Sequence, residues 1–178
     1  MRQVLGGEPF DRLLDEAKSS AFHLETSDDY LAETESDSLR RWREDETGDP
    51  GGPWFDSWTD QVRRMTNRGV TLHRARIVSE PHTLYTRYLL ALARHNTAAG
   101  EQVWYLPRQD ASAADAASED FWLLDNRVVS FSLFDDRGYW IGGSVTEDPV
   151  LVNNAMEIRD RVLAAAVRYD IYRDRHNA

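Results

Sequence analysis

Between residues 121 and 144 the chain carries three short β runs, FWLLD (121–125), VVSFSLF (128–134) and YWIGGS (139–144), parted only by Asn-Arg and by Asp-Asp-Arg-Gly. Connections of two and four polar residues suit hairpins, so the three runs are expected to pair in antiparallel fashion. Upstream, residues 70–79 and 102–106 read as two further strands, stopped by Pro81 and Pro107, on either side of a helix over 84–99 that ends at Gly100. Downstream, residues 148–167 read as a helix with Pro149 in its first turn and Val152, Met156, Ile158, Val162, Leu163 and Ala166 available for a core.

The first fifty residues have a different pattern. Phe10, Leu13, Leu14, Ala17 and Ala21 fall at helical spacing and predict a helix over 9–22. A second, polar helix is expected over 28–42, anchored by Tyr30, Leu31, Leu39 and Trp42. The Gly- and Pro-rich stretch 48–53 is a loop by backbone chemistry, and Trp54, Trp58, Val62 and Met65 then mark a helix over 54–67 closed by Gly69. Residues 110–119, DASAADAASE, suggest a mobile loop or a marginal helix. The expected fold class is α/β, in the α+β sense of a mixed sheet: a helical N-terminal segment, then β-α-β-β-β-β-α with helices flanking the sheet. One domain over 1–178 is expected, an acidic helical arm (1–52) joined to a mixed α/β core (53–172).

The chain has no cysteine, which excludes disulfides, thiolate metal sites and a cysteine nucleophile, and fits a cytoplasmic setting. No apolar run approaches the roughly 18 residues of a membrane span, so no membrane partner is expected. The net charge is −10 and the pI about 4.9, which disfavours direct nucleic-acid binding. The charge is uneven: acids crowd residues 28–46, whereas 63–76 is basic. An acidic arm lying against that basic segment, within the chain or across a dimer, is one reading, and two solvated faces the plainer one.

The phrases SSAFHLETSDDYL (19–31), RGVTLHRARIVSEPHTLYTRY (68–88), AGEQVWYLPR (99–108) and DFWLLDNRVV (120–129) resemble those of an uncharacterised actinobacterial family of unknown function, over about residues 10–172. The resemblance implies no activity. It implies a regulatory setting, because genes of that family often accompany helix-turn-helix regulators and small partner proteins. Residues 70–172 also resemble a phospholipase-D-type half-domain, whose enzymes use H-x-K-x-x-x-x-D. Setting Asp125 at the Asp position puts Ser118 and Asp120 where His and Lys belong. The resemblance therefore implies a catalytically silent, ligand-binding use of that fold, since a carboxylate in the Lys position repels a phosphodiester.

The densest polar constellation is Arg74, Arg76, Ser79, Glu80, His82, Tyr85 and Arg87, at a strand end and the following helix start, where an anion can be held. Its structural alternative is an internal ion pair from Arg76 or Arg87 to Glu80. A second candidate joins Arg108 to Asp120, Trp122 and Asp125, with a surface pair from Arg108 to Asp120 as the alternative. Trp122, Trp104 and Trp140 suit either stacking on a flat ligand or a core. His23 with Glu25 and Asp28 is a candidate catalytic pair, against a histidine satisfied by backbone. The five histidines show no metal-ligand spacing, no serine sits in a nucleophile elbow, and Gly142–Ser144 is too short for a phosphate loop, so no metal or cofactor is expected.

The expected function is a non-catalytic regulatory or binding module, whose partner is a helix-turn-helix regulator or a small anionic ligand. One alternative is an enzyme acting on a phosphate or nucleotide compound, which requires Arg76, Glu80, His82 and Arg108 to converge in one pocket. Another is a homodimeric scaffold using the Trp54–Trp58 helix.

Overall fold

The chain runs β1 (Gln3–Leu5), α1 (Glu8–Asp15), β2 (Ser20–Glu25), α2 (Ser36–Glu44), α3 (Pro53–Asn67), β3 (Thr71–Val78) and α4 (Leu84–Ala99). There follow β4 (Gln102–Pro107), α5 (Ala113–Ala116), β5 (Phe121–Leu124), β6 (Val128–Phe134), β7 (Trp140–Thr146), α6 (Pro149–Ala165), β8 (Val167–Arg168) and α7 (Tyr169–His176). This is a computed structural model that describes residues 3–30 and 35–176. The strands form one eight-stranded mixed sheet in the order β1-β7-β6-β5-β2-β3-β4-β8.

The hairpin signals act as their residue types predict. Asp125 and Asn126 both have φ of 53°, a left-handed pair that Asp and Asn tolerate and that suits the β5–β6 turn. Thr83 caps α4 by accepting from the Thr86 N–H, and Gly100, at φ 110°, closes it. Asp148 caps α6 with Pro149 in the first turn. The expected order β-α-β-β-β-β-α is that of β3 to α6.

The N-terminal segment departs from the helical reading. The helix expected over 9–22 stops at Asp15, and Ser20–Glu25 is a strand at the centre of the sheet, parallel to β3 and antiparallel to β5. Ala21 continued the helical spacing by coincidence. The chain turns out of α1 because the Asp125 carboxylate accepts from the backbone N–H groups of Lys18, Ser19 and Ser20 at 2.8–3.1 Å. The first residues add β1 at the β7 edge. The helix expected over 28–42 begins only at Ser36, and residues 31–34 of that expectation lie outside the described residues. Within 110–119 the chain forms α5, and the C-terminal residues add β8 and α7, which the spacing did not suggest.

Two apolar layers hold the sheet. On one face Phe22 and Leu24 of β2, Ala75 and Ile77 of β3, and Phe121 and Leu123 of β5 pack on Val152, Ala155, Ile158 and Val162 of α6. On the other, Ala21, Leu72 and Leu124 meet Phe10 and Leu14 of α1 and Val62 and Met65 of α3. Each such aliphatic or aromatic side chain contributes about 1.5–3 kcal/mol on burial. Strand alternation then sends His23, Glu25, Arg74 and Arg76 to the second face, under α3 and α4. Gly142 and Gly143 in β7 serve packing: a Cβ on Gly143 would meet the Ser130 Oγ at 2.1 Å and the Phe10 ring at 2.9 Å. Among the described residues no helix is long and apolar enough to cross a membrane.

Candidate binding site

In the sheet register His23 lies beside Arg74 and Trp122, Glu25 beside Arg76, and Arg76 beside Tyr105. Six polar or aromatic side chains thus point from adjacent strands to one buried place. A buried guanidinium is tolerated only when its charge is paired, and both are. Arg74 donates through Nε to Glu101 at 2.7 Å and through Nη1 to Glu25 and to the His23 Nδ1 at 2.8 Å. Its guanidinium lies 5.3 Å from the Trp58 ring centre and 5.8 Å from that of Trp122. Arg76 donates to Glu25, and to the Tyr105 hydroxyl at 3.1 Å.

The protonation states follow. Arginine only donates, so the His23 Nδ1 accepts and the ring's proton sits on Nε2. Burial and then the Arg74 charge push His23 down to about 3, so it is neutral. Burial acts to raise Glu25, but Arg74, Arg76 and His23 outweigh it and hold the carboxylate well below its ordinary range. His23 also stacks on Trp122, with ring centres 4.2 Å apart and planes 11° from parallel.

This floor opens into a cavity of about 390 Å³. Its walls are aromatic: Trp54, Phe55 and Trp58 come from α3, and Trp122, Phe134 and Trp140 from the sheet. Two further carboxyls line it. Glu35 accepts from the Tyr85 hydroxyl at 2.7 Å. Asp120 accepts from the Tyr30 hydroxyl and, at 2.8 Å each, from the Thr26 N–H and Oγ1. Burial raises both carboxyls, against the lowering effect of those hydrogen bonds. Asn96, also in the lining, donates to Glu101, and its buried Oδ1 has no donor among the described residues.

Of the residues singled out from the sequence, Arg74, Arg76, Tyr85, Trp122 and Trp140 meet here with His23, Glu25 and Asp120. The others go elsewhere. Glu80 and His82 line a separate cavity beside α7 with Arg87, which pairs with Glu46 at 2.8 and 3.0 Å. Glu80 bonds Tyr172 and Gln109, so the ion pair expected from Arg76 or Arg87 is replaced by other partners. Arg108 ties three segments together, donating to Asp28 and the Ser79 Oγ at 3.2 Å and to the Ile77 and Ala116 carbonyls at 3.1 Å; Asp120, its expected partner, bonds Thr26 and Tyr30 instead. Asp125 is pushed down to about 2: burial opposes this, and the three backbone N–H groups prevail. Trp104 packs on the opposite face near α6, so only Trp122 and Trp140 of the three tryptophans share the cavity.

Within the chain Arg64 pairs with Asp15 at 3.2 Å, and Arg74 and Arg76 with Glu25, but among the described residues no acid of 28–46 forms an ion pair with the basic segment. Tyr30, Glu35 and Glu101 were missed as site residues. A usable signal existed: two arginines two apart in an otherwise apolar strand require acids on the neighbouring elements, and Glu25 and Glu101 supply them.

The family described as a domain of unknown function, DUF6879, matches the chain over residues 8–174. No curated protein matches it.

Proposed function

Because the chain belongs to the DUF6879 family, whose description assigns no activity, we propose its function from the cavity: a non-catalytic binding module for a small ligand with a flat apolar body and a hydrogen-bond-donating, basic end. The observation that carries this is the charge inventory. Glu25, Glu35, Asp120 and Glu101 face two guanidiniums, Arg74 and Arg76, which Glu25 and Glu101 already pair. Glu35 and Asp120 are the surplus, held among aromatic rings where a cation is favoured by both carboxylate and π face. The unpartnered Asn96 Oδ1 asks for a donor too. This replaces the small anion expected from the arginine-rich sequence, whose arginine donors are largely consumed.

A binding role is favoured over catalysis because the polar groups are aimed at one another. No serine or histidine pair in the cavity forms a nucleophile and base, and the enzyme alternative's four residues line different regions. The phospholipase-D-type likeness enters on the same footing: Ser118 and Asp120 supply neither a nucleophilic nitrogen nor a positive charge. A helix-turn-helix protein that reads out the ligand is part of the proposal and rests on the gene association alone.

Calorimetry and thermal melting with a panel of flat amines and matched flat carboxylic acids test the reading. Amines are expected to bind and raise the melting temperature, with Trp140→Ala, at the exposed rim, and Asp120→Asn weakening them. Binding of the acids in preference, or of neither set, would overturn it.

A further inference from the structure

Away from the aromatic cavity, Glu80, His82 and His176 come together between the loop after β3 and the last helix, α7. One potential donor atom of each lies within 4.8 Å of the others. The geometry points to a site for a single first-row divalent cation of the zinc type, with these three side chains as ligands.

The placement of the donor atoms carries the argument. The Tyr172 hydroxyl links the Glu80 Oε1, at 2.7 Å, to the His82 Nε2, at 3.0 Å, so these two atoms already converge on one point. The His176 Nδ1 is 2.9 Å from the Tyr172 carbonyl oxygen, which only accepts, so Nδ1 bears a proton and Nε2 is the atom aimed at the Glu80 Oε1, 3.1 Å away. A cation between these last two atoms would take the place of their direct contact. Their separation is close to the roughly 3.3 Å between two ligands of a tetrahedral ion bound at about 2.0–2.1 Å.

The outer atoms of all three ligands are held as metal ligands usually are. Gln109 donates to the Glu80 Oε2 at 3.0 Å and the Tyr172 hydroxyl to Oε1 at 2.7 Å, so the ion would bind Oε1 in place of that hydroxyl. The His82 Nδ1 lies 3.2 Å from the Thr86 Oγ1 and directs Nε2 inward, where the Tyr172 hydroxyl lies 3.0 Å away. The His176 Nδ1 is fixed by the backbone. Two imidazoles and one carboxylate select a borderline transition ion over magnesium or calcium, which prefer oxygen alone. The cavity beside these residues leaves the fourth position to water. Bound there, the ion clamps α7 to the start of α4, joining residues 96 positions apart.

Untagged, metal-stripped full-length protein is titrated with Co²⁺, read by visible absorption, and with Zn²⁺, read by calorimetry. One ion per chain is expected, with Co²⁺ absorption of a low-symmetry nitrogen and oxygen site that Zn²⁺ abolishes. Glu80→Gln, His82→Ala and His176→Ala should each weaken binding at least about 10-fold. They should also remove the Zn²⁺-dependent rise in melting temperature. His95→Ala, at the surface pair with Asp49, should change neither. Absence of Co²⁺ absorption, or binding that survives all three ligand substitutions in variants with native near-ultraviolet dichroism, would overturn the site.

Discussion

The floor of the aromatic cavity and the Glu80–His82–His176 cluster use the same residue types, yet they are opposites in solvation. On the floor, Glu25 lies between Arg74 and Arg76 and Glu101 pairs with Arg74, and every one of these groups is buried or nearly so. In the cluster, Glu80 and His176 keep 27% and 28% of their side-chain surface. Burial forces completeness, because an unpaired charge in the sheet face costs several kcal/mol, whereas water tolerates an unfinished arrangement at the rim.

The sharpest way to break the comparison is to remove one acid from each region. Glu25→Ala leaves Arg76 without its carboxylate and Arg74 with only Glu101, and should cost about 3–5 kcal/mol of stability. Glu80→Ala should cost about 1 kcal/mol or less. Urea unfolding midpoints measure both, and equal losses would refute the contrast. Replacing Glu25, Arg74, Arg76 and Glu101 together by Leu, Met, Met and Gln should restore most of the loss, because no buried charge is then left unpaired and Gln keeps an acceptor for Trp58 and Asn96. Ligand binding should stay lost, which would assign the network to function.

A smaller effect appears with pH. The folded His23 is pushed down to about 3, below its unfolded value near 6.5, so the unfolded chain binds the extra proton. Its contribution is complete above about pH 6.5 and is lost as pH falls toward 3, with a slope of at most about 1.4 kcal/mol per pH unit. Lowered Glu25 adds the same sign below about pH 4.5. Raised Glu35 and Asp120 act oppositely, favouring the folded chain as pH falls through the carboxylate range. Between pH 6.5 and 4.5 the His23 loss is superposed on the opposite effect of Glu35 and Asp120 and on the like effect of lowered His73 and His82, so it is read as the difference that removing His23 makes. His23→Gln should flatten the acid loss there, read as urea midpoints against pH. An unchanged profile would mean that His23 is not held neutral by the network.

What could be read from the sequence divides along the same line. The meander, α4 and α6 were legible because each is set by local chemistry: short polar turns, a Thr cap, Pro in a first turn, Gly at a terminus. The central strand β2 was not, because it is short and Ala21 continues the helical spacing of α1 into it, which hides the alternation of Phe22, His23, Leu24 and Glu25. Arg74, Arg76 and Trp122 were picked out as polar or aromatic residues in strands, but the sorting of candidates into separate regions depends on which face of the sheet each strand presents. His176 could join Glu80 and His82 only through α7, an eight-residue helix directly after the two-residue strand β8, and these leave little periodicity to detect.

The least effect is expected outside both regions, and it calibrates the others. Arg87 and Glu46 form a two-pronged pair at 2.8 and 3.0 Å, geometrically as good as any in the cavity, but both side chains remain over 40% exposed. In water the attraction is screened and two long side chains must be immobilised, so Arg87→Ala should cost no more than about 0.5 kcal/mol. The wild-type advantage should also vanish in about 1 M salt, where the Debye length falls to roughly 3 Å, while the cost of Glu25→Ala should persist. Urea midpoints of the two variants at low and high salt read both effects in one series. If Arg87→Ala proved as costly as Glu25→Ala, or the Glu25 cost faded with salt, then pair geometry and not burial would govern the energetics of this sheet face.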